Sequence, residues 1–476
     1  MHFVIITKCI ITNGAIMKFY DRDDELFRLA RYEELAQENF FFIRVTGRRR
    51  IGKTVLVREY LKRSDSPSLY FFVTKKKQKL LLDEYASIIS GAFDEFSGVT
   101  FRDFDDFFTF LFKLMARQTV LVIFDEFQNF KYVDPAVFSI LQKHIDLSKD
   151  QCRGLLMVIG SINSMMRRIF EDADQPLYGR LSGSFLLKNF PLSTIEEILE
   201  DHGVNDPDSL LFFYSIFEGI PFYYNYLSTR GAFKHTRQAV VAEEILDESA
   251  ILLDEGKEIL LEEFGKDYST YFSILEAIAS GATTMSRIAD RSGMDVHHLG
   301  RYLGELKDSH ELIERRLPFD ASANSKMGRY FLKDNFLDFW FRYIFKNRSK
   351  ISIFSPQRMA EEIVGDFPVY MGKKFETFII RFLIEENQRG RGSITRIQPY
   401  WDRGHTEIDL VFTNDDAREI NFGECKLSAR KHNPAALEAK ARAFLATNKK
   451  YLNWKKNLFF YSPGAQNYIH KTIPIE

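Results

Sequence analysis

Between Phe40 and Glu200, short apolar runs recur, each followed by a stretch in which apolar residues return every three or four positions. The runs are Phe41 to Val45, Ser68 to Val73, Val120 to Phe124, Leu155 to Ile159 and Phe185 to Leu187, and they are largely apolar rather than alternating. Such strands, separated by amphipathic helices, predict a parallel sheet buried on both faces. From Ser193 to Phe264 the pattern is helical only, with turn signals at Asn205-Asp206-Pro207 and Gly219-Ile220-Pro221, which predicts a helical lid. Between Tyr271 and Asp320 three helical segments, with a turn at Ser292-Gly293 and Asp295 as an N-cap, lead into hairpin-type sequence. That order predicts a helix-turn-helix with a wing. Lys346 to Pro356 reads as linker, and from Met371 a helix, KKFETFIIRFLIEE, precedes strands around Ile394, Ile408 to Phe412 and Glu419 to Glu424.

These patterns divide the chain into a core over residues 17–192, a lid over 193–264, a winged helix over 265–345, a linker over 346–370 and an α+β domain over 371–476. Residues 1–16 are expected to be a non-structural leader. Lys8 splits their apolar stretch, no small-residue cleavage pattern follows, and Met17 begins the well-formed KFYDRDDEL.

The 476 residues suffice for several compact cores, and 45% hydrophobic with 28% charged residues excludes disorder and low complexity. The 46 phenylalanines fall inside periodic segments and read as core material. The overall balance of 65 basic against 66 acidic residues conceals an asymmetry: from Met371 onward there are 18 basic and 12 acidic residues. A basic tail on an acidic body points mildly to a polyanion at the C-terminal end. The three widely spaced cysteines, Cys9, Cys152 and Cys425, suit a reducing, cytoplasmic setting rather than a disulfide framework. No apolar run approaches the roughly 18 residues of a bilayer span, so no membrane partner is expected.

Candidate chemistry is densest at Gly47-Arg48-Arg49-Arg50-Ile51-Gly52-Lys53-Thr54, followed by Val55, between an apolar strand and an amphipathic helix. In that context glycines let backbone N–H groups wrap phosphates, Lys53 reaches the β and γ oxygens, and Thr54 ligates Mg²⁺, so ATP and Mg²⁺ are the expected ligands. The strand Val120 to Phe124 ends in Asp125 and Glu126, an acid pair suited to the Mg²⁺ shell and to orienting the attacking water, respectively. After the strand Leu155 to Ile159, either Ser161 or Asn163 is placed to sense the γ-phosphate, or simply to cap a helix. Arg180, in the loop Pro176-Leu177-Tyr178-Gly179-Arg180, would serve as an arginine finger in its own chain or a neighbour's, or else is a solvated loop residue. A finger acting in trans would require a homo-oligomer.

Taken together, GRRRIGKT, VLVIFDEFQNF, VIGSIN, PLYGR and EGIPFYYNYL, preceded by FYDRDDEL, resemble the archaeal-type AAA/STAND-related ATPase family over roughly residues 17–230. The resemblance implies an ATPase core and lid, commonly followed by a winged helix and a restriction-endonuclease-like C-terminal domain. Two motifs depart from the family. The N-terminal box reads Asp21-Arg22-Asp23 where Gly-Arg-Glu is commoner, and the segment after the sensor strand reads Ser161-Ile162-Asn163.

In the expected winged helix, His297, His298, Arg301 and Lys307 would face a groove or phosphate backbone, or the module serves only to pack domains. At the C-terminus, Asp409 on one strand and Glu424-Cys425-Lys426 on the next resemble the PD-(D/E)xK nuclease pattern, with Glu376 as its helical acid. Period-2 alternation puts Glu424 and Lys426 on one face. Glu376, Asp409 and Glu424 would hold a divalent metal and Lys426 would stand near the attacking water, unless the fold is kept for binding alone.

The expectation is thus a multidomain α/β chain with a parallel-sheet P-loop NTPase core, helical lid, winged helix-turn-helix and restriction-endonuclease-like C-terminal domain. It would hydrolyse ATP and couple nucleotide state to a module acting on DNA or RNA. The alternative is a slow nucleotide switch whose idle C-terminal domain binds protein or DNA.

Overall fold

A computed structural model of the chain describes residues 18–161, 163–265, 268–465 and 468–475. The expected leader lies outside them, apart from the side of its boundary at Lys18. The chain divides into two compact units that meet in sequence between Asn189 and Phe190.

The first unit is a five-stranded parallel sheet of β1 (Phe40–Thr46), β2 (Ser68–Phe72), β3 (Val120–Asp125), β4 (Gly154–Ile159) and β5 (Gly183–Leu186), in the order β2-β3-β4-β1-β5. Alternate residues of one strand serve opposite faces, which is why the runs are apolar throughout. On β3, Val120, Val122 and Phe124 enter one core while Leu121 and Ile123 enter the other. The second of these cores is covered by α1 (Asp23–Leu35) and α2 (Lys53–Arg63) through Leu26, Leu29, Leu56 and Val57. The first is covered by α3 (Gln78–Ala92), α4 (Phe104–Arg117) and α5 (Val137–Ser148). Much of the phenylalanine is spent there: Phe71, Phe107, Phe108 and Phe124 stack or meet edge to face at 5.2 to 6.2 Å. Helix α6 (Asn163–Glu171) follows β4.

The second unit begins with α7 (Leu192–Asp201), α8 (Pro207–Phe217), α9 (Pro221–Thr229) and α10 (Leu252–Phe264), a helical region with no strand among its described residues. Three helices follow: α11 (Tyr268–Ala279), α12 (Met285–Ser292) and α13 (Val296–Gly304). Gly293 makes the turn between the last two at φ 70°, and the Asp295 side chain caps α13 by accepting from the His297 N–H at 2.8 Å. An antiparallel hairpin, β6 (Ile313–Arg316) and β7 (Arg329–Leu332), comes next.

The expected linker over 346–370 is corrected by the structure. Helix α14 runs unbroken from Pro356 to Gln388, with Met359, Ala360, Ile363, Phe367 and Tyr370 buried. Gly365 and Pro368 interrupt the helical signal, but burial of the apolar face outweighs their propensity cost. Ser355 caps the helix and Pro356 opens it at the position where a missing N–H costs nothing.

The C-terminal sheet holds β8 (Arg396–Trp401), β9 (Glu407–Asn414), β10 (Glu419–Cys425), β11 (Lys455–Tyr461) and β12 (Ile469–Ile475), in the order β12-β11-β10-β9-β8. All neighbours are antiparallel except β10 and β11, whose parallel pairing is reached through α15 (Pro434–Thr447). The last two strands were not anticipated from sequence.

Candidate functional sites

The loop 47–52 joins the buried end of β1 to the first turn of α2. Gly47 is obligatory there: φ is 146°, and a Cβ would come within 2.7 Å of the Leu187 carbonyl oxygen. Ile51 is fully buried and anchors the loop to the core beside Leu187, so only its backbone is available to a ligand. Arg48, Arg49 and Arg50 are half-buried, and Val55 is exposed on the first turn of α2. No side chain caps α2, and its first turn carries no acid, leaving N-terminal amides suited to an anion.

Lys53 is buried and donates to the Gly47 and Arg48 carbonyls at 2.9 and 3.0 Å. One residue on, the Thr54 hydroxyl donates to Asp125 Oδ2 at 2.8 Å, drawing the end of β3 to the start of α2. Tyr70, from β2, donates to the same oxygen. Burial first, then the Asp125 charge, hold the Tyr70 phenol protonated far above its ordinary range. Asp125 is 2% exposed, and its Oδ1 accepts from the Glu126 N–H at 2.9 Å.

Glu126 stands in the left-handed region at φ 57°, which turns its side chain out of the strand direction. Ser161 Oγ reaches both Glu126 carboxylate oxygens at 2.9 Å, and Gln128 donates to Oε2. The sheet order explains the meeting, since β4 lies between β1 and β3. Lys53, Thr54, Asp125, Glu126 and Ser161 are therefore brought together; Tyr70 and Gln128 join them unannounced. Hard oxygens on Thr54 and Asp125, beside an uncapped helix N-terminus, fit a Mg²⁺-bound polyphosphate.

Arg180 is not brought to this cluster. Its Nε and Nη2 hold Asp146 at 3.0 and 2.8 Å, depressing that carboxyl, and its Nη1 donates to the Pro176 and Tyr178 carbonyls at 2.7 and 3.0 Å.

The second cluster lies where β9 begins and β10 ends. Asp409 Oδ2 accepts from the Cys425 N–H at 2.8 Å and from Lys426 Nζ at 3.3 Å, and Lys426 stands 3.8 Å from Glu424 Oε1. Burial works against the Lys426 charge, but Asp409 and Glu424 outweigh it and raise the ammonium pKa. The other Glu424 oxygen is fixed by the His432 ring at 3.2 Å and the Asn433 N–H at 3.1 Å. Ser462 supports His432 from behind at 2.9 Å. Glu376, on α14, accepts no hydrogen bond among the described residues, and burial followed by the Asp409 charge pushes it up to about 8. The unbonded Glu376 carboxyl and the Asp409 carboxylate offer oxygen donors of the kind a divalent cation takes. His432, Asn433 and Ser462 were missed by sequence reasoning, since nothing in their spacing marks them.

Helix α13 presents His297 and His298 to solvent, but Arg301 is tied to Glu305 at 2.8 Å and Lys307 to Asp308 at 3.2 Å. Among the described residues, it is His235, Glu243 and Glu244, and not Glu376, Asp409 and Glu424, that place three ligand atoms within 4.8 Å of one another, with Arg230 holding Glu244 at 2.6 Å. Among the described residues no helix is long and apolar enough to cross a membrane.

Residues 19–223 match the family described as an ATPase domain predominantly from Archaea, and residues 340–437 match one described as archaeal and bacterial proteins of unknown function. An uncharacterised protein of Methanocaldococcus jannaschii is 33% identical over 421 residues, covering 86% of this chain and 87% of its own length. Among solved structures, a Walker-type ATPase of Pyrococcus abyssi is similar with a TM-score of 0.50 and 20% identity, covering 68% of this chain and 96% of its own. The Aeropyrum pernix ORC2 protein, solved as ADPNP and ADP complexes, aligns with a TM-score of 0.43 and 17% identity over 71% of this chain and 96% of its own.

Proposed function

The chain belongs to the archaeal-type P-loop ATPase family, and from that premise we propose that it hydrolyses ATP at Lys53, Thr54, Asp125 and Glu126 and uses the nucleotide state to govern a metal-dependent phosphodiesterase site at Glu376, Asp409, Glu424 and Lys426. The observation that carries the first half is the Thr54 to Asp125 hydrogen bond at 2.8 Å, which joins the phosphate loop to the acid pair.

In this reading the loop amides and Lys53 bind the β and γ phosphoryl oxygens, Lys53 exchanging its present carbonyl partners for them. Thr54 and Asp125 would hold Mg²⁺, which would supply neutralisation of the charge on those oxygens. Glu126, steadied by Ser161 and Gln128, orients the attacking water and accepts its proton as the water oxygen bonds to the γ-phosphorus and the bridge to ADP breaks. Arg180 would act as a finger only after leaving Asp146.

The module of α11 to α13 with its hairpin is read as a winged helix, and α14 with the C-terminal sheet as a nuclease-like domain. Residues 17–192, 193–264, 265–345 and the chain from Pro356 onward are then its functional parts. At the second site a divalent cation would polarise a phosphodiester oxygen. Lys426, already beside Asp409, is placed to hold the attacking water.

Coupling is supported by α14. Its Arg381 donates to the Phe190 carbonyl at 2.5 Å, and Glu385 accepts from the Leu192 N–H at 2.9 Å. Tyr370 donates to the Ser215 carbonyl of α8 at 2.9 Å, and Lys374 binds Asn335 at 2.9 Å. The helix bearing Glu376 is thus fastened to Phe190 and Leu192, the first residues of the second unit.

The test is ATP binding and turnover by the full chain, with cleavage of labelled DNA and RNA in Mg²⁺ or Mn²⁺. Lys53→Ala should lose ATP turnover and Asp409→Asn should lose cleavage alone. Normal ATP turnover by Lys53→Ala would refute the phosphate site, and undiminished cleavage by Asp409→Asn would refute the second.

A further inference from the structure

The connection between β6 and β7 does not hang free. Phe319 is 3% exposed and lies 6.1 and 6.2 Å from Phe444 and Tyr451 in the core of the C-terminal sheet. Its N–H donates to the Pro399 carbonyl at 2.8 Å, and the Trp401 indole donates to the Met327 carbonyl at 2.9 Å. Asp320 sits between Arg396 at 3.1 Å and Lys450 at 2.6 Å. At the base of the hairpin, Arg329 pairs with Glu407 at 2.7 Å and lies 4.5 Å over the Trp401 ring. A free wing inserts its tip into a groove; here the tip backbone and its apolar anchor are already spent.

The fastening carries Arg316 toward the second acid cluster. Arg316 is the register partner of Arg329, and Arg329 pairs with Glu407, which stands two residues before Asp409 on the same face of β9. The guanidinium is preorganised: the Phe331 ring lies 4.5 Å from it, and Glu314 takes both its Nε, at 2.6 Å, and its Nη2. Its Nη1 makes no hydrogen bond among the described residues, leaving a planar donor for an incoming anion. At the same end of the sheet the chain leaves β10 through Lys426 to the exposed Arg430 and Lys431, and enters β9 from the exposed Arg403.

A site of three acids repels a polyanion unless cations at its rim outweigh them. We propose that Arg316, a hairpin residue, belongs to the C-terminal site and binds a phosphate of a nucleic-acid backbone laid across Glu376, Asp409 and Glu424. This inference rests on the reading of the second site as a phosphodiesterase.

The experiment uses the full chain carrying Asp409→Asn, so that nothing is cut, with fluorescein-labelled single- and double-stranded DNA and RNA read by anisotropy across a salt series. Arg316→Ala should weaken the strand type that binds by about fivefold to tenfold. It should also lower the slope of log affinity against log salt by about one. Arg316→Lys should recover part of the affinity, and the double change of His297 and His298 to Ala should leave it unaltered. Thermal melting and ATP turnover should be the same for all variants, which separates lost contact from lost fold. The proposal falls if Arg316→Ala binds as its parent does, or if the His297 and His298 change accounts for the binding. Failure of the parent to bind any strand, with ATP turnover intact, would remove nucleic acid from the C-terminal site and leave the ATPase reading standing.

Discussion

Asp125 and Glu126 are both met by donors, whereas at the C-terminal site donors meet Asp409 and Glu424 but not Glu376. In the phosphate site Thr54, Tyr70 and a backbone N–H serve Asp125, while Ser161 and Gln128 serve Glu126. In the C-terminal site the Cys425 N–H and Lys426 serve Asp409, the Asn433 N–H and the His432 ring hold Glu424, and Glu376 has no hydrogen bond among the described residues. In the first constellation each carboxylate is already partnered by the scaffold. In the second, Glu376 is desolvated beside the Asp409 charge without a donor of its own, so a cation bound there would add stability as well as chemistry.

That contrast breaks most visibly at Asp125. Asp125→Asn keeps the shape and the donors but removes the charge, and should lower Mg²⁺-dependent ATP turnover by about a hundredfold or more. The loss should appear in steady-state hydrolysis, with cleavage or nucleic-acid binding at the C-terminal site measured separately. Equal turnover would mean that Thr54 and Asp125 do not share a cation.

Next in size is Glu376→Gln in metal-free protein. A carboxyl whose folded pKa is raised holds its proton more tightly folded than unfolded. Its ionisation therefore costs stability from its ordinary value upward, and in full above about pH 8. Asp409, Glu407, Lys426 and Arg316 are the charged groups that act on it. Above that pH the variant should be more stable than wild type by roughly a few kcal/mol, and below about pH 4 the two should coincide. Denaturant melts across this range, with and without Mn²⁺, decide the matter; Mn²⁺ should stabilise wild type and erase the variant's advantage.

The smallest expected effect is at Tyr70. Tyr70→Phe removes one of the three donors on Asp125 and should cost about 1 kcal/mol of stability, with a severalfold fall in ATP turnover and no change at the C-terminal site. An effect on both sites would show that the two clusters are not independent in structure.

Local pattern names the groups that lie together in the sequence and misses the partners that tertiary packing adds. The phosphate loop lies in eight consecutive residues and β3 delivers both acids at one strand end, so local pattern was enough. Tyr70 looks like any aromatic in an apolar strand, and Gln128 like any polar residue after a turn. His432 sits six residues beyond Lys426 with no spacing rule to mark it. Gly365 and Pro368 disguised the middle of α14 as linker, although Phe367 and Tyr370 bury the helix there. The capture of Phe319 by the C-terminal core joins residues far apart in the chain, which periodicity does not register.

The central claim is that Glu126 activates water at the phosphate site. The direct measurement is ATP binding and single-turnover hydrolysis by wild type and Glu126→Gln under the same Mg²⁺ conditions. The account predicts that the variant binds ATP with affinity close to wild type and loses hydrolysis by about a hundredfold to ten-thousandfold. Hydrolysis at the wild-type rate by Glu126→Gln would contradict it.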